Sequence, residues 1–138
     1  MKENIGIVGV GYVGGAVRHW FENLYRRPVE LFLYDRYKEI GSLREVSDHA
    51  RTVFVCVPTP YRERGRGYDD SAIDETLRSL KKPNVVVIKS TVLPGSTERF
   101  QKKFPRHTIL FSPEFLVAKT ANDDFVNPQR QIIGYTQK

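Results

Sequence analysis

A chain of 138 residues is the size of one domain and can bury roughly 70% of the surface its unfolded form exposes. With 40% hydrophobic and 28% charged residues its composition is that of an ordinary globular protein, no apolar run approaches the ~18 residues a membrane span needs, and Cys56 alone excludes an internal disulfide framework. The net charge of +6 is scattered over small clusters (Arg62-Arg64-Arg66, Lys81-Lys82, Lys102-Lys103), which reads as a solvated surface or a face for an anionic ligand, with no nucleic-acid-binding motif beside it.

Taken in chain order, Met1-Lys2-Glu3 leads straight into Asn4–Val8, which predicts a strand, so no signal peptide is expected and the chain reads as cytoplasmic. Tyr12–Leu24 predicts a helix, with Val13, Ala16, Val17, Trp20, Phe21 and Leu24 along one stripe. Val29–Tyr34 is a second strand, ending at Asp35, and Ser42–His49 a short helix. Thr52–Val57 is a continuous apolar strand. Pro58–Asp69, polar and rich in Arg and Gly, reads as a mobile loop. Asp70 and Ser71 predict the cap of a helix running to Leu80. Val85–Ile88 is another fully apolar strand, Ser96–Phe104 another helix, and Thr108–Phe111 another strand. Ser112–Asn127 fits no regular element, and Gln131–Tyr135 closes the set as a strand.

Strands apolar on both faces, alternating with helices, predict an α/β fold of Rossmann-like, doubly wound type: a mainly parallel sheet of about six strands in a single domain spanning residues 1–138. In such sheets ligands bind at the carboxyl ends of the strands, where strand order reverses. Gly9-Val10-Gly11-Tyr12-Val13-Gly14 lies between an apolar strand and an amphipathic helix, the context in which a G-x-G-x-x-G turn cradles a pyrophosphate. Gly9 permits the turn, Gly11 the approach of the phosphates, and Gly14 the packing of helix on strand. Asp35, at the end of the second strand, is placed to accept hydrogen bonds from ribose hydroxyls. A carboxylate there repels a 2′-phosphate and favours NAD over NADP, while the adjacent Arg36 could receive one. No second flavin-contacting signature accompanies the turn, and no His or Cys grouping has metal-ligand spacing.

Four further segments accompany Gly11-Tyr12-Val13-Gly14 in order along the chain. They are Val55-Cys56-Val57-Pro58-Thr59-Pro60, Lys89-Ser90-Thr91-Val92-Leu93-Pro94-Gly95-Ser96-Thr97, Ser112-Pro113-Glu114-Phe115-Leu116 and Asn127-Pro128-Gln129-Arg130-Gln131-Ile132-Ile133-Gly134. Together they resemble the N-terminal NAD-binding domain of the UDP-glucose/GDP-mannose dehydrogenases. The resemblance implies oxidation of a nucleotide sugar at its C6 alcohol, with two NAD used in succession and a cysteine thiolate holding the intermediate aldehyde. It implies that Val57, Pro58, Thr59 and Thr91 lie along the cofactor and that Thr91 and Glu114 position and activate water. On the residues alone, Thr91 could equally turn the chain after its strand, and Glu114 could be a solvated carboxylate or a local backbone acceptor.

Departures from the family pattern qualify that expectation. The family's nucleophilic cysteine lies in a later domain, and its central helical and C-terminal domains are not in these residues. Cys56, within an apolar run, reads as a small buried hydrophobe and not as an activated thiolate. Val117-Ala118-Lys119 stands where the family carries a Glu-Gly pair. The segment between Asp35 and Thr52 is short, which predicts a reduced sheet on that side. Two readings of function lead: the cofactor half of an NAD-dependent oxidoreductase, either a fragment or a subunit completed by a second chain for a nucleotide sugar, or a stand-alone, non-catalytic dinucleotide-binding module. A compact dehydrogenase that works through Glu114 without a thiol is a third.

Overall fold

Runs of Val, Ile, Leu and Phe with no polar face are driven into the middle of the molecule, where helices can cover both sides of the sheet they form. The computed structural model describes residues 1–63 and 67–137. In chain order it contains β1 (Glu3–Val8), α1 (Tyr12–Asn23), β2 (Val29–Asp35), β3 (Ile40–Gly41), α2 (Leu43–His49), β4 (Thr52–Val55), β5 (Tyr61–Arg62) and β6 (Gly67–Tyr68). There follow α3 (Ser71–Ser79), β7 (Val85–Ile88), α4 (Ser96–Lys103), β8 (Thr108–Phe111), a single 3-10 turn (Ala118–Thr120), α5 (Ala121–Val126) and β9 (Gly134–Tyr135).

Seven strands make one sheet in the order β3-β2-β1-β4-β7-β8-β9, and β5 and β6 pair apart from it. The five inner strands are parallel; only the short edge strands β3 and β9 run antiparallel to their neighbours. The chain builds outward from β1 to β2, then returns to lay β4 on the other side of β1. The reversal between β1 and β4 opens a crevice at their carboxyl ends.

The period-two alternation of β1 divides the core. Ile5 and Ile7 pack against Val17 of α1 and Phe125 of α5 on one face. Val8, Val53, Val55, Val86 and Ile88 meet Val46 of α2, Ile73 and Leu77 of α3 and Phe100 of α4 on the other. Burying each such aliphatic side chain contributes about 2 kcal/mol.

All six expected strands form. The seventh, β3, is a two-residue strand, so the sheet is indeed narrow on the side of the short Asp35–Thr52 segment. Other expectations are corrected. Pro58–Asp69 is not loop throughout, because Tyr61–Arg62 and Gly67–Tyr68 pair as a short hairpin; Arg64 and Arg66 of the basic cluster lie outside the described residues. Ser112–Asn127 winds into the 3-10 turn and α5, which supply the cover the sheet needs beneath β1. The strand expected over Gln131–Tyr135 shrinks to Gly134–Tyr135. The cap of α3 comes from Asp69, whose carboxylate accepts the Ser71 N–H at 3.1 Å, while the Asp70 carboxylate is drawn off to Arg99.

Candidate functional site

At the end of β1 the chain turns sharply into α1. Gly9 adopts φ +87°, and a Cβ there would stand 2.5 Å from the Cys56 carbonyl oxygen, so the turn lies directly on the chain leaving β4. A Cβ at Gly14 would fall 1.8 Å from the Gly9 carbonyl oxygen. Gly11 differs from both, since a Cβ there would meet no atom within 4 Å. No side chain caps α1 at Gly11 and its first turn carries no acid, so its leading N–H groups and positive dipole end await an acceptor from outside the helix.

Asp35 closes the turn from the neighbouring strand. It is buried, and its Oδ2 accepts the Val10 N–H at 2.7 Å, inside the glycine turn. Its Oδ1 accepts the Tyr37 and Lys38 N–H groups at 2.9 and 3.0 Å. Burial works against the charge of this carboxyl, but the Val10, Lys38 and Tyr37 N–H groups and the Lys38 ammonium outweigh it and hold its pKa below the ordinary value. The Lys38 ammonium donates in turn to the Val10 carbonyl at 2.6 Å. Beside Asp35, Arg36 pairs with Glu75 of α3 at a small cavity of about 60 Å³ whose walls include Gly9, Tyr34, Leu43, Val57 and Ala72.

Across the switch point a cavity of about 400 Å³ gathers Val13, Val57, Pro58, Thr59, Thr91 and Glu114. Its rim is tied together by side chains: Thr59 Oγ1 donates to the Thr91 carbonyl and Ser90 Oγ to the Val57 carbonyl, each at 2.7 Å. Glu114 is not a solvated carboxylate. Its side chain is 15% exposed and pairs with Lys89, which is 3% exposed. The Lys89 ammonium also reaches Ser112 Oγ at 3.1 Å and lies 5.6 Å from the centre of the Phe125 ring. This ion pair forms part of the wall of a second cavity, of about 470 Å³, bordered by Phe115, Asp124, Phe125, Asn127 and Arg130.

The fold therefore brings nearly every residue singled out in the sequence to one edge of the sheet. Gly9, Asp35, Arg36 and Val57 frame the small cavity, and Val13, Val57, Pro58, Thr59, Thr91 and Glu114 the larger one. Tyr12 projects into solvent at the head of α1. Cys56 sits one residue beyond β4, against the Ile5–Ile7–Val17 cluster. Burial pushes its thiol up to about 12, partly opposed by the Lys89 charge and reinforced by that of Glu114. Among the described residues no group of three or more His, Cys, Asp or Glu is placed to hold a metal ion. No helix among them is long and apolar enough to cross a membrane.

Three charged residues of this edge were missed in the sequence. Lys89 carried a usable signal, since a lysine closing the wholly apolar Val85–Ile88 run must find a partner once that strand is central. Lys38 and Glu75 carried none, because their partners Val10 and Arg36 are distant in the chain.

A parallel sheet with a glycine turn at its switch point and a buried carboxylate one strand away defines a Rossmann-type dinucleotide-binding domain. Residues 29–138 match the family model of the UDP-glucose/GDP-mannose dehydrogenase family, NAD binding domain, and the chain belongs to that family. The match starts beyond the glycine turn, so turn and match are separate observations. The UDP-glucose 6-dehydrogenase of Campylobacter jejuni is 31% identical over 94% of this chain and 41% of its own length, and that of Rickettsia typhi 35% identical over 95% and 38%. The chain thus spans about two-fifths of these relatives. Its fold matches a UDP-glucose dehydrogenase from Pyrobaculum islandicum (TM-score 0.77, 23% identity, 99% of this chain and 41% of that one). It also matches a GDP-mannose dehydrogenase from Pseudomonas aeruginosa in a ternary complex (TM-score 0.74, 22% identity, 96% and 41%).

Proposed function

We propose that the chain is the cofactor half of a nucleotide-sugar 6-dehydrogenase, holding NAD with its pyrophosphate at the glycine turn and its adenosine ribose at Asp35. The observation that carries this reading is the contrast within the turn. Gly14 is closed by protein, whereas the Cβ position of Gly11 is empty and faces the uncapped start of α1. Such a space is one that a diphosphate fills and that no protein atom claims. Asp35 keeps acceptor capacity on Oδ2, which takes only the Val10 N–H among the described residues, so it can grip a ribose hydroxyl while bracing the turn.

Bound NAD would supply a hydride acceptor. The protein's own contribution lies around the cavity of about 400 Å³. Val13, Val57 and Pro58 wall it, Thr59 and Ser90 fix its rim, and Thr91 and Glu114 bring a hydroxyl and a carboxylate to one space where a water can be held. Lys89 orients the carboxylate and keeps a counter-charge beside it. The sugar of a nucleotide sugar would occupy the adjoining cavity of about 470 Å³. In this reading the family's thiolate comes from polypeptide outside these residues, since Cys56 packs against the Ile5–Ile7–Val17 cluster, where desolvation raises its pKa.

That same property of Cys56 favours a second reading, a dinucleotide-binding module without redox chemistry. Calorimetry with NAD tests the shared part of both: saturable binding that Gly11→Val reduces more than a hundredfold is expected, and a variant that binds as the parent does would put the ligand elsewhere. NADH formation from UDP-glucose or GDP-mannose by this chain, abolished by Glu114→Ala, would sink the binding-only reading.

A further inference from the structure

The dipeptide Asp35-Arg36 places opposite charges on the last residue of β2 and the first beyond it. Where Asp35 turns inward, Arg36 extends over the cavity of about 60 Å³ towards α3, and there it meets Glu75. The two side chains project from opposite walls, one carried by the end of β2 and the other by the first half of α3. Each is more than half exposed, so the pair contributes little to stability. Its consequence is for whatever ligand enters between them.

We propose that Glu75 is a specificity residue that sets the preference for a dinucleotide without a 2′-phosphate, by occupying the guanidinium that would otherwise receive one. The inference rests on the reading that the adenosine ribose lies at Asp35. Three charged side chains line this corner, Asp35, Arg36 and Glu75, and the nearby Lys38 is turned to the Val10 carbonyl. Both cations are engaged by protein groups, Arg36 by the Tyr34 side chain and by Glu75, of which only Glu75 brings a carboxylate, and Lys38 by the Val10 carbonyl. A phosphate monoester, with a charge of about −1.5 to −2 at neutral pH, would arrive between two carboxylates and find neither cation free. Arg36 retains the planar fork that grips phosphate bidentately, and Glu75 is the carboxylate that competes for that fork directly.

Glu75→Gln removes that charge and preserves the side-chain length. The bond from Ser79 Oγ to the Glu75 main-chain carbonyl is untouched, so α3 stays intact. The parent chain, E75Q and the double variant R36A/E75Q are titrated with NAD and with NADP, with far-UV circular dichroism to verify the fold. In E75Q the affinity for NADP relative to NAD rises about tenfold, the value of one newly made charge-assisted contact, and in R36A/E75Q the rise is lost. An unchanged ratio in E75Q, or a rise that survives loss of Arg36, overturns the inference while NAD binding by the parent still stands. A parent chain that binds neither nucleotide overturns the underlying reading as well.

Discussion

The glycine turn with Asp35 and the Lys89–Glu114 wall lie at the same edge of the sheet but are built from different material. The turn is made of backbone: missing side chains at Gly9, Gly11 and Gly14, and N–H groups of Val10, Tyr37 and Lys38 converging on one carboxylate. The wall is made of side chains delivered from three places, with Lys89 following β7, Ser112 and Glu114 following β8, and Phe125 on α5. A backbone site fails when an atom is added to it. A side-chain site fails when a charge is taken away. The two regions should therefore respond to opposite kinds of substitution.

The largest effect is expected from adding one methyl group to the turn. Gly14→Ala sets a Cβ 1.8 Å from the Gly9 carbonyl oxygen, a contact only a shift of α1 away from β1 can relieve. The loss of stability should reach about 3 kcal/mol or more, read as a lower urea midpoint with unchanged slope. Gly11→Ala, which meets nothing, should stay within about 1 kcal/mol of the parent. Equal midpoints for the two variants would break the account of the turn.

Removing a charge from the wall comes next. Lys89→Met leaves the largely buried Glu114 carboxylate without its cation, at a cost of about 3 kcal/mol. The double variant K89M/E114L, with no charge left to strand, should recover at least half of that loss. A double variant no more stable than K89M would show that Lys89 matters through its packing alone. Asp35→Ala lies between the two kinds of substitution. It removes a charge, yet what it strands is backbone, namely three N–H groups that lose their acceptor. Stability should fall by about 2 kcal/mol and NAD affinity by at least tenfold, the first by chemical denaturation and the second by calorimetry.

The same contrast explains what could be read in advance. The turn was legible because its parts sit at fixed spacing on consecutive elements, so pattern and geometry coincide. The five parallel strands were legible for the same reason, apolar runs having only a covered sheet to enter, whereas of the run expected to close the sheet only Gly134–Tyr135 pairs, at its edge. The hairpin of β5 and β6 was not, since its four residues show no apolar alternation and the Tyr61–Tyr68 ring contact across it exists only once the strands pair. Nor was α5, whose six residues Ala121–Val126 hold one large aromatic that only the finished sheet gives a place to go. Thr91 and Glu114 were singled out through family resemblance, and the Lys89 partner of Glu114 had to be seen in space.

Cys56 gives the smallest effect and touches both regions, because its backbone supports Gly9 and its thiol feels Lys89 and Glu114. Desolvation raises its pKa from 9.0 to about 12. At pH 8 and below the thiol is largely protonated whether the chain is folded or not, so it adds little pH dependence. Above pH 9 the unfolded chain releases this proton and the folded chain does not, so stability falls as pH rises towards 12. Tyrosines and lysines titrate in the same range, and the difference between the parent and Cys56→Ala isolates the thiol. That difference should move against the parent by about 1.4 kcal/mol by pH 10, measured as unfolding free energies at pH 8 and pH 10. In K89M the cation that opposes the upward shift is gone, and the same pH step should cost at least as much. A flat difference between pH 8 and pH 10 would mean that the thiolate is as well solvated in the folded chain as in the unfolded one, and would return Cys56, which borders the cavity of about 400 Å³, to consideration as a reactive group.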